Sequence, residues 1–133
     1  MYRSTAAIAL VVVSFLASPA TAQESFTNQE LSDLILAKDK PYVMSKLRNK
    51  TVTVTGEFDR FSDTSIGSKV AVYMDIPGGG GGYAVSCEFP RDDTATYDRM
   101  AQLQSGDQVT FTGKFKDINT SFIQVYLSPC TPQ

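Results

Sequence analysis

Residues 51–58 read TVTVTGEF, and residues 108–115 repeat the pattern as QVTFTGKF. In both stretches apolar and polar residues alternate, with a glycine in the sixth position. Alternation with a period of two predicts a β-strand that has one buried and one solvated face. A glycine inside a strand marks a bulge or a sharp bend. The two stretches therefore predict a pair of long, curving strands, which is typical of a small β-barrel.

Three more stretches alternate in the same way: residues 70–76, 83–89 and 123–127. Pro77 and the five glycines at 78–82 connect the first two of these predicted strands. This loop leads into a strand and not into a helix, so it lacks the arrangement of a phosphate-binding loop. The tail from Pro129 to Gln133 is predicted to end strand pairing.

Helical spacing appears in two places. Residues 27–30 have the S/T-x-x-E form of a capping box and open a short helix that ends before Pro41; residues 42–48 continue the helical pattern for one or two further turns. Residues 93–104 predict a second helix, closed by Ser105-Gly106. Asp92-Asp93 lies at its start, where acids cap exposed amides and favour the positive end of the helix dipole.

The order of three strands, a helix and two strands is that of the OB-fold. The predicted fold class is all-β with accessory helices: a five-stranded Greek-key barrel over residues 51–130, with its helix between strands three and four. Residues 23–50 form a short N-terminal helical segment before it. A split α+β sheet would use the same elements, but it gives no reason for the two mid-strand glycines.

The first 22 residues predict a secretory signal peptide. Arg3 supplies a positive start, residues 6–16 an apolar stretch, and residues 20–22 (ATA) the small residues of a cleavage site. Cleavage is expected between Ala22 and Gln23, which predicts a periplasmic or secreted protein without a membrane span. An uncleaved N-terminal anchor is the alternative, although eleven apolar residues are too few to cross a bilayer.

The net charge and the residue types that the chain lacks argue against several classes of function. The formal net charge of −2 becomes −3 once the segment with Arg3 is removed, and no clustered excess of Lys and Arg is expected, which argues against nucleic-acid binding. The chain has no His, which removes the usual general base and the Ser-His and Cys-His nucleophile pairs. It also has no C-x-x-C pair, so neither a metal nor a cofactor is expected. The sequence therefore predicts a protein that is not an enzyme.

Cys87 and Cys130 both lie in the exported part. An oxidising compartment favours a disulfide between them, and two unpaired thiols are the alternative. Counting the alternation from Leu127 places position 130 off the core face, whereas Cys87 lies on it. A break at Pro129 would restore the match.

Four segments carry a family resemblance: residues 52–56 (VTVTG), 85–89 (VSCEF), 106–113 (GDQVTFTG) and 127–130 (LSPC). Together with the upstream helix they resemble the tRNA_anti-like family of exported or envelope-attached bacterial OB-fold proteins. The resemblance covers nearly all of the exported part. It implies an OB-fold and a bridge between the two cysteines, but no catalytic residues.

The resulting hypothesis is a binding module for a small ligand, a saccharide or an envelope protein, which it contacts through the open barrel face and nearby loops. Single-stranded nucleic-acid binding is the alternative. An enzyme or enzyme subunit is a third possibility, for which the sequence shows no set of catalytic residues. Each candidate residue also has a simpler interpretation as an ordinary solvated or edge-covering side chain. The candidate ligand-binding residues are Arg60, Phe61, Lys69, Tyr73, Lys114, Lys116 and Tyr126.

Overall fold

A computed structural model of the protein describes residues 24–63, 67–76, 84–119, 121 and 123–133. The predicted signal peptide and the glycine run at 78–82 lie outside these residues. The elements in chain order are β1 (Glu24–Thr27), α1 (Asn28–Ala37), α2 (Lys40–Leu47), β2 (Thr51–Ser62), β3 (Lys69–Asp75), β4 (Ala84–Pro90), α3 (Thr94–Ala101), β5 (Gln108–Asn119) and β6 (Gln124–Pro132).

Strands β2 to β6 close into a five-stranded barrel, which confirms the predicted mostly-β barrel. The strands are joined in the order β2-β3-β4-β6-β5, and β5 then pairs with β2 to close the sheet on itself. All of these pairings are antiparallel except β4 with β6. Because β2 is twelve residues long, its first half pairs with β5 and its second half with β3. Within the described ranges, no helix is long and apolar enough to cross a membrane.

A short strand precedes the first helix and was not predicted. Strand β1 pairs in parallel with β2, from Glu24 opposite Val52 to Thr27 opposite Thr55. Thr27 then begins α1 through the expected capping box: its hydroxyl accepts from the Glu30 N–H at 3.0 Å, and its own N–H donates to the Glu30 carboxylate at 2.8 Å. The upstream segment is therefore attached to the barrel by backbone pairing.

The other helices differ from the prediction at their ends. Helix α2 is a separate helix because Asp39 caps it by accepting from the Tyr42 N–H at 3.0 Å, and Pro41 occupies its first turn. Helix α3 begins after Asp93, whose side chain accepts from the Thr96 N–H as expected. It ends at residue 101 instead of 104, since residues 102–106 form turns.

The core lies inside the barrel and under the helices. Alternate residues of each strand are buried, as the period of two predicted, and α1 and α2 add Leu31, Val43 and Leu47. The rings of Phe89, Phe111 and Phe115 are at most 2% exposed. These rings and the β-branched strand residues form one continuous apolar cluster.

Both mid-strand glycines lie where another part of the chain comes very close. A Cβ added at Gly56 would lie 2.5 Å from the Asn28 side chain, and one added at Gly113 would lie 2.6 Å from the Pro129 carbonyl oxygen and 2.9 Å from Cys130. Real Cβ atoms do not approach other atoms so closely. Each glycine therefore makes room for a crossing segment.

The prediction that pairing ends at Pro129 is wrong. Strand β6 continues along β5, with Cys130 opposite Gly113 and Pro132 opposite Phe111. Between Leu127 and Cys130, the two residues Ser128 and Pro129 of β6 oppose one residue of β5, and prolines are tolerated at such bulges.

The same bulge restores the core phase of Cys130. It forms the predicted disulfide with Cys87, with the two Cα atoms 5.4 Å apart, inside the normal range.

Candidate ligand-binding face

One line of side chains runs across the outer surface of the barrel. The register places Arg60 of β2 opposite Tyr73 of β3, Tyr73 opposite Ser86 of β4, and Ser86 opposite Tyr126 of β6. Asp117 of β5 lies opposite Tyr126. Directly opposed residues of neighbouring strands project from the same side of a sheet. We call the set Arg60, Tyr73, Ser86 and Tyr126 the tyrosine row.

The middle of the tyrosine row is closed to solvent. Ser86 is only 2% exposed, whereas both flanking tyrosines are half-buried. Neighbouring strands are about 4.8 Å apart, so the two tyrosines stand about 10 Å from each other with a small hydroxyl side chain between them. Two rings at this separation can contact two adjacent groups of one ligand.

Arg60 covers the ring at one end of the row. Its guanidinium carbon is 4.0 Å from the centre of the Tyr73 ring, and its Nη1 is 2.6 Å from the Asp59 carboxylate. A guanidinium over an aromatic face is attracted by the ring quadrupole. Since its side chain is 57% exposed, Arg60 presents the outer surface of this stack to a ligand.

The other end of the row opens into a cleft of about 330 Å³, in which Tyr126 meets residues of β4, of β5 and of the segment after α2. The Tyr126 hydroxyl donates to the Gln124 side chain at 3.1 Å. A hydrogen bond from the Ile118 N–H, and to a smaller extent Lys40, lowers the pKa of Asp117, which holds this carboxyl in its charged form. The cleft is lined by Arg48, Glu88, Lys116, Asp117 and Tyr126.

A second cleft of about 370 Å³ lies on the Tyr73 side and shares Glu88 with the first. Lys69 stands at its edge and donates to the Ser128 hydroxyl at 3.5 Å. Lys69 also lines a third cleft of about 730 Å³ with Ser68 and the end of β4. Glu88 therefore lies between the two tyrosines' clefts, where a carboxylate can accept hydrogen bonds from a ligand in either one.

The structure brings together five of the seven candidate residues: Arg60, Lys69, Tyr73, Lys116 and Tyr126. Phe61 points the other way, because a register shift between Phe58 and Arg60 moves Phe61 onto the core side. There it packs against Tyr97 at 4.9 Å between ring centres and against Phe89 at 6.3 Å. Lys114 is exposed opposite Thr51 on the β2–β5 side of the barrel, away from the tyrosine row.

Four residues of this surface were not among the candidates. Ser86 and Glu88 could have been found from strand alternation, since they lie between the core residues of β4. Asp117 follows a bulge in β5, and Arg48 ends α2, so no local pattern indicates that either lies beside Tyr126. Across the described part of the chain, no group of three or more His, Cys, Asp or Glu side chains is arranged to hold a metal ion.

Comparison with known proteins supports the fold. No family model and no curated protein matches the chain. A crystal structure of a Klebsiella pneumoniae lipoprotein, named as a candidate nucleic-acid binder, aligns with a TM-score of 0.57 and 15% identity over 84% of this chain and 90% of that one.

Two further solved structures resemble the chain. A Leishmania major protein named as a candidate aspartyl-tRNA synthetase aligns with a TM-score of 0.50 and 12% identity over 88% of this chain and 22% of that one. An OBody bound to hen egg-white lysozyme aligns at 0.48 with 18% identity over 71% and 93%. At these identities the likeness to the Klebsiella and Leishmania structures supports an OB-like barrel and no particular ligand.

Proposed function

We propose that this protein is an exported, non-enzymatic OB-fold binding module, and that its tyrosine row takes an uncharged saccharide. The observation that carries the proposal is the placement of Tyr73 and Tyr126 on either side of Ser86. Rings separated in this way can each pack against the apolar face of a sugar ring, while the groups between them bond to hydroxyls.

The polar groups around the row suit an uncharged ligand better than an ion. Four bases and three acids surround the row, so neither sign of charge dominates. The bases supply donors and the acids supply acceptors: Arg48, Arg60, Lys69 and Lys116 against Asp59, Glu88 and Asp117. Sugar hydroxyls both donate and accept, and they can use this mixture fully.

Export is supported by two features, the predicted signal segment at residues 1–22 and the cysteine pair. A disulfide persists in an oxidising compartment and is rare in a reducing one. The chain has no histidine, and the carboxylates near the row lie in open clefts in which hydrogen bonds or solvent already engage them. Both points favour binding without catalysis.

Single-stranded nucleic acid is the second candidate ligand. It is favoured by the cations beside the rings, Arg60 over Tyr73 and both Arg48 and Lys116 around Tyr126. Bases stack on aromatic side chains, and cations can contact the backbone phosphates. The same fold neighbour named as a candidate nucleic-acid binder is consistent with this alternative.

The deciding experiment titrates the purified protein with two kinds of probe, neutral chito- and cello-oligosaccharides and oligo(dT), at low and high salt. A saccharide site gives binding that salt does not weaken, and both Tyr73→Ala and Tyr126→Ala reduce it about tenfold. Tyr42→Ala, a tyrosine on helix α2, is the matched control and leaves it unchanged. Binding of oligo(dT) alone, lost at high salt, would establish the second candidate.

A further inference from the structure

Positive charge is concentrated at one end of the molecule. Of the eleven Lys and Arg residues in 24–133, seven lie in the segments 38–50 and 114–117, which contain only two acids, Asp39 and Asp117. The other four bases are outnumbered by twelve acids. The expectation that bases do not cluster is therefore wrong. We call the seven residues the basic pole: Lys38, Lys40, Lys46, Arg48, Lys50, Lys114 and Lys116.

Backbone pairing brings the two segments together. The Asn49 N–H donates to the Phe115 carbonyl at 2.8 Å, and the Phe115 N–H donates to the Lys50 carbonyl at 2.9 Å. Lys114 and Lys116 flank Phe115 and so lie beside the segment that follows α2. Lys40 Nζ is 3.4 Å from the Asp117 carboxylate, which joins α2 to the same surface. All seven basic side chains are exposed.

The basic pole also carries exposed apolar side chains. Tyr42 is 41% exposed and Leu36 is 60% exposed, and these are the two large hydrophobic residues classed as exposed in the described part of the chain. Lys38 Nζ lies 5.2 Å and Lys46 Nζ 5.9 Å from the centre of the Tyr42 ring. Leu36 lies in the last turn of α1, two residues before Lys38. Apolar and basic groups thus alternate from the end of α1 through α2.

We propose that the basic pole docks the protein on an anionic lipid surface, with the Tyr42 ring and Leu36 entering the headgroup layer. Lysines near such a surface are attracted to acidic headgroups, and aromatic and leucine side chains add apolar burial at the interface. The acidic remainder of the molecule is repelled and turns away. Charge complementarity and apolar insertion thus favour the same orientation.

A lipid surface fits these residues better than a nucleic acid does. A single strand requires bases to stack on rings inside a positive groove, and the stacking platform of this barrel would be the tyrosine row, on β3 and β6. Leu36 contributes nothing to phosphate recognition, whereas it gains by insertion into a headgroup layer. The inference does not rest on the proposed saccharide site: Arg48 and Lys116 belong to both surfaces, but the residues tested for docking, Lys38, Lys46 and Tyr42, lie outside the tyrosine row and its clefts.

The test measures co-sedimentation of the full exported chain with vesicles of pure phosphatidylcholine and with an equal mixture of phosphatidylcholine and phosphatidylglycerol. We expect binding to the mixed vesicles only, weakened by salt. The variant Lys38→Gln/Lys46→Gln should bind about thirtyfold more weakly, since each lysine near such a surface contributes about a factor of five. Tyr42→Ser should also weaken binding.

The control variant Thr94→Glu/Ala95→Glu changes the net charge by the same amount at an exposed turn of α3, where acids suit the helix dipole. It should bind the mixed vesicles like the unmodified protein. Three results would overturn the proposal: no vesicle binding at low salt, an equal loss in the control variant, or binding of oligo(dT) at these lysines without vesicle binding. Loss of saccharide binding in Tyr73→Ala leaves this outcome unaffected.

Discussion

Strands β2 and β5 are both twelve residues long, share the same alternation and burial over their first eight positions, and carry a glycine in the same place. What crosses each glycine differs. Gly56 receives the Asn28 side chain, which donates to the Asp75 carbonyl at 2.9 Å and to the Glu57 carboxylate at 3.2 Å. Gly113 receives the backbone of Pro129 and Cys130.

The difference separates two ways of holding a barrel together. The crossing at Gly56 is a side chain that bridges β2 and the end of β3, and a side chain can rotate away at the cost of its hydrogen bonds. The crossing at Gly113 is backbone, fixed by strand pairing and by the bond from Cys130 to Cys87. We therefore expect the β5 crossing to tolerate change less than the β2 crossing.

The largest effect should come from removing the disulfide. Its closed loop spans 43 residues, for which the chain-entropy model gives about 4 kcal/mol of stabilisation. We expect Cys87→Ala/Cys130→Ala to lose about that much in urea unfolding, and the unmodified protein to lose a similar amount under reducing conditions. A loss below about 1 kcal/mol in both would show that β5–β6 pairing alone holds this crossing.

The second-largest effect is expected from Gly113→Ala. It should lower the free energy of unfolding by about 3 kcal/mol, because the new methyl group meets backbone that cannot rotate aside. Thermal unfolding followed by circular dichroism measures it. Lys114→Ala, at the exposed position next to Gly113 on β5, is the control and should change little. A tolerated Gly113→Ala would mean that the bulge in β6 can open to admit it.

Gly56→Ala should cost less, about 1–2 kcal/mol, since it displaces the Asn28 amide and its two hydrogen bonds. The double variant Asn28→Ala/Gly56→Ala should lose less than the two single losses added, because the methyl group then fills the space left by the amide. Urea titrations of the three variants give the coupling. Strict additivity would show that the two positions do not share this space.

The smallest effect concerns pH. The hydrogen bond from the Ile118 N–H lowers the pKa of Asp117 in the folded state. The charged carboxylate therefore stabilises the fold above the ordinary aspartate pKa, and this stabilisation is lost as pH falls from there through the lowered pKa of the folded state. Asp117→Asn should therefore make stability depend less on pH between about pH 5 and pH 3. Urea midpoints across this range measure the slope. An unchanged slope would contradict the assignment.

Much of the barrel follows from sequence because alternation, capping and turn residues are local. The strand cores and the capping box at Thr27 are confirmed. Strand β1 could not be predicted, because four residues are too few to show a period of two. They form a strand only because they pair with the edge of β2. The end of β6 escaped because two prolines, which usually stop a strand, lie at a bulge and at its final position.

The candidate site was less accessible to sequence reasoning. A one-residue shift near Asp59 exchanged the faces of the residues after it, so that Arg60 lies outside and Phe61 on the core side, and no residue in this stretch indicates such a bulge. Arg48 joins the Tyr126 cleft only through the fold. The basic pole was not predicted for two reasons: the net charge is negative, and two of its seven bases lie in a segment more than sixty residues away from the others.

The closing pair of the barrel has a kinetic consequence. Val52 lies opposite Gly113 and Cys87 is bonded to Cys130, so the sheet is completed by contacts between distant parts of the chain. Folds with such pairings form slowly, since the chain loses the conformational entropy of a long loop before the contact that closes the loop stabilises it. During synthesis, Cys87 emerges 43 residues before its partner. Until then it is a free thiol, open to mixed disulfides, and the bond can form only after the last strand has been made.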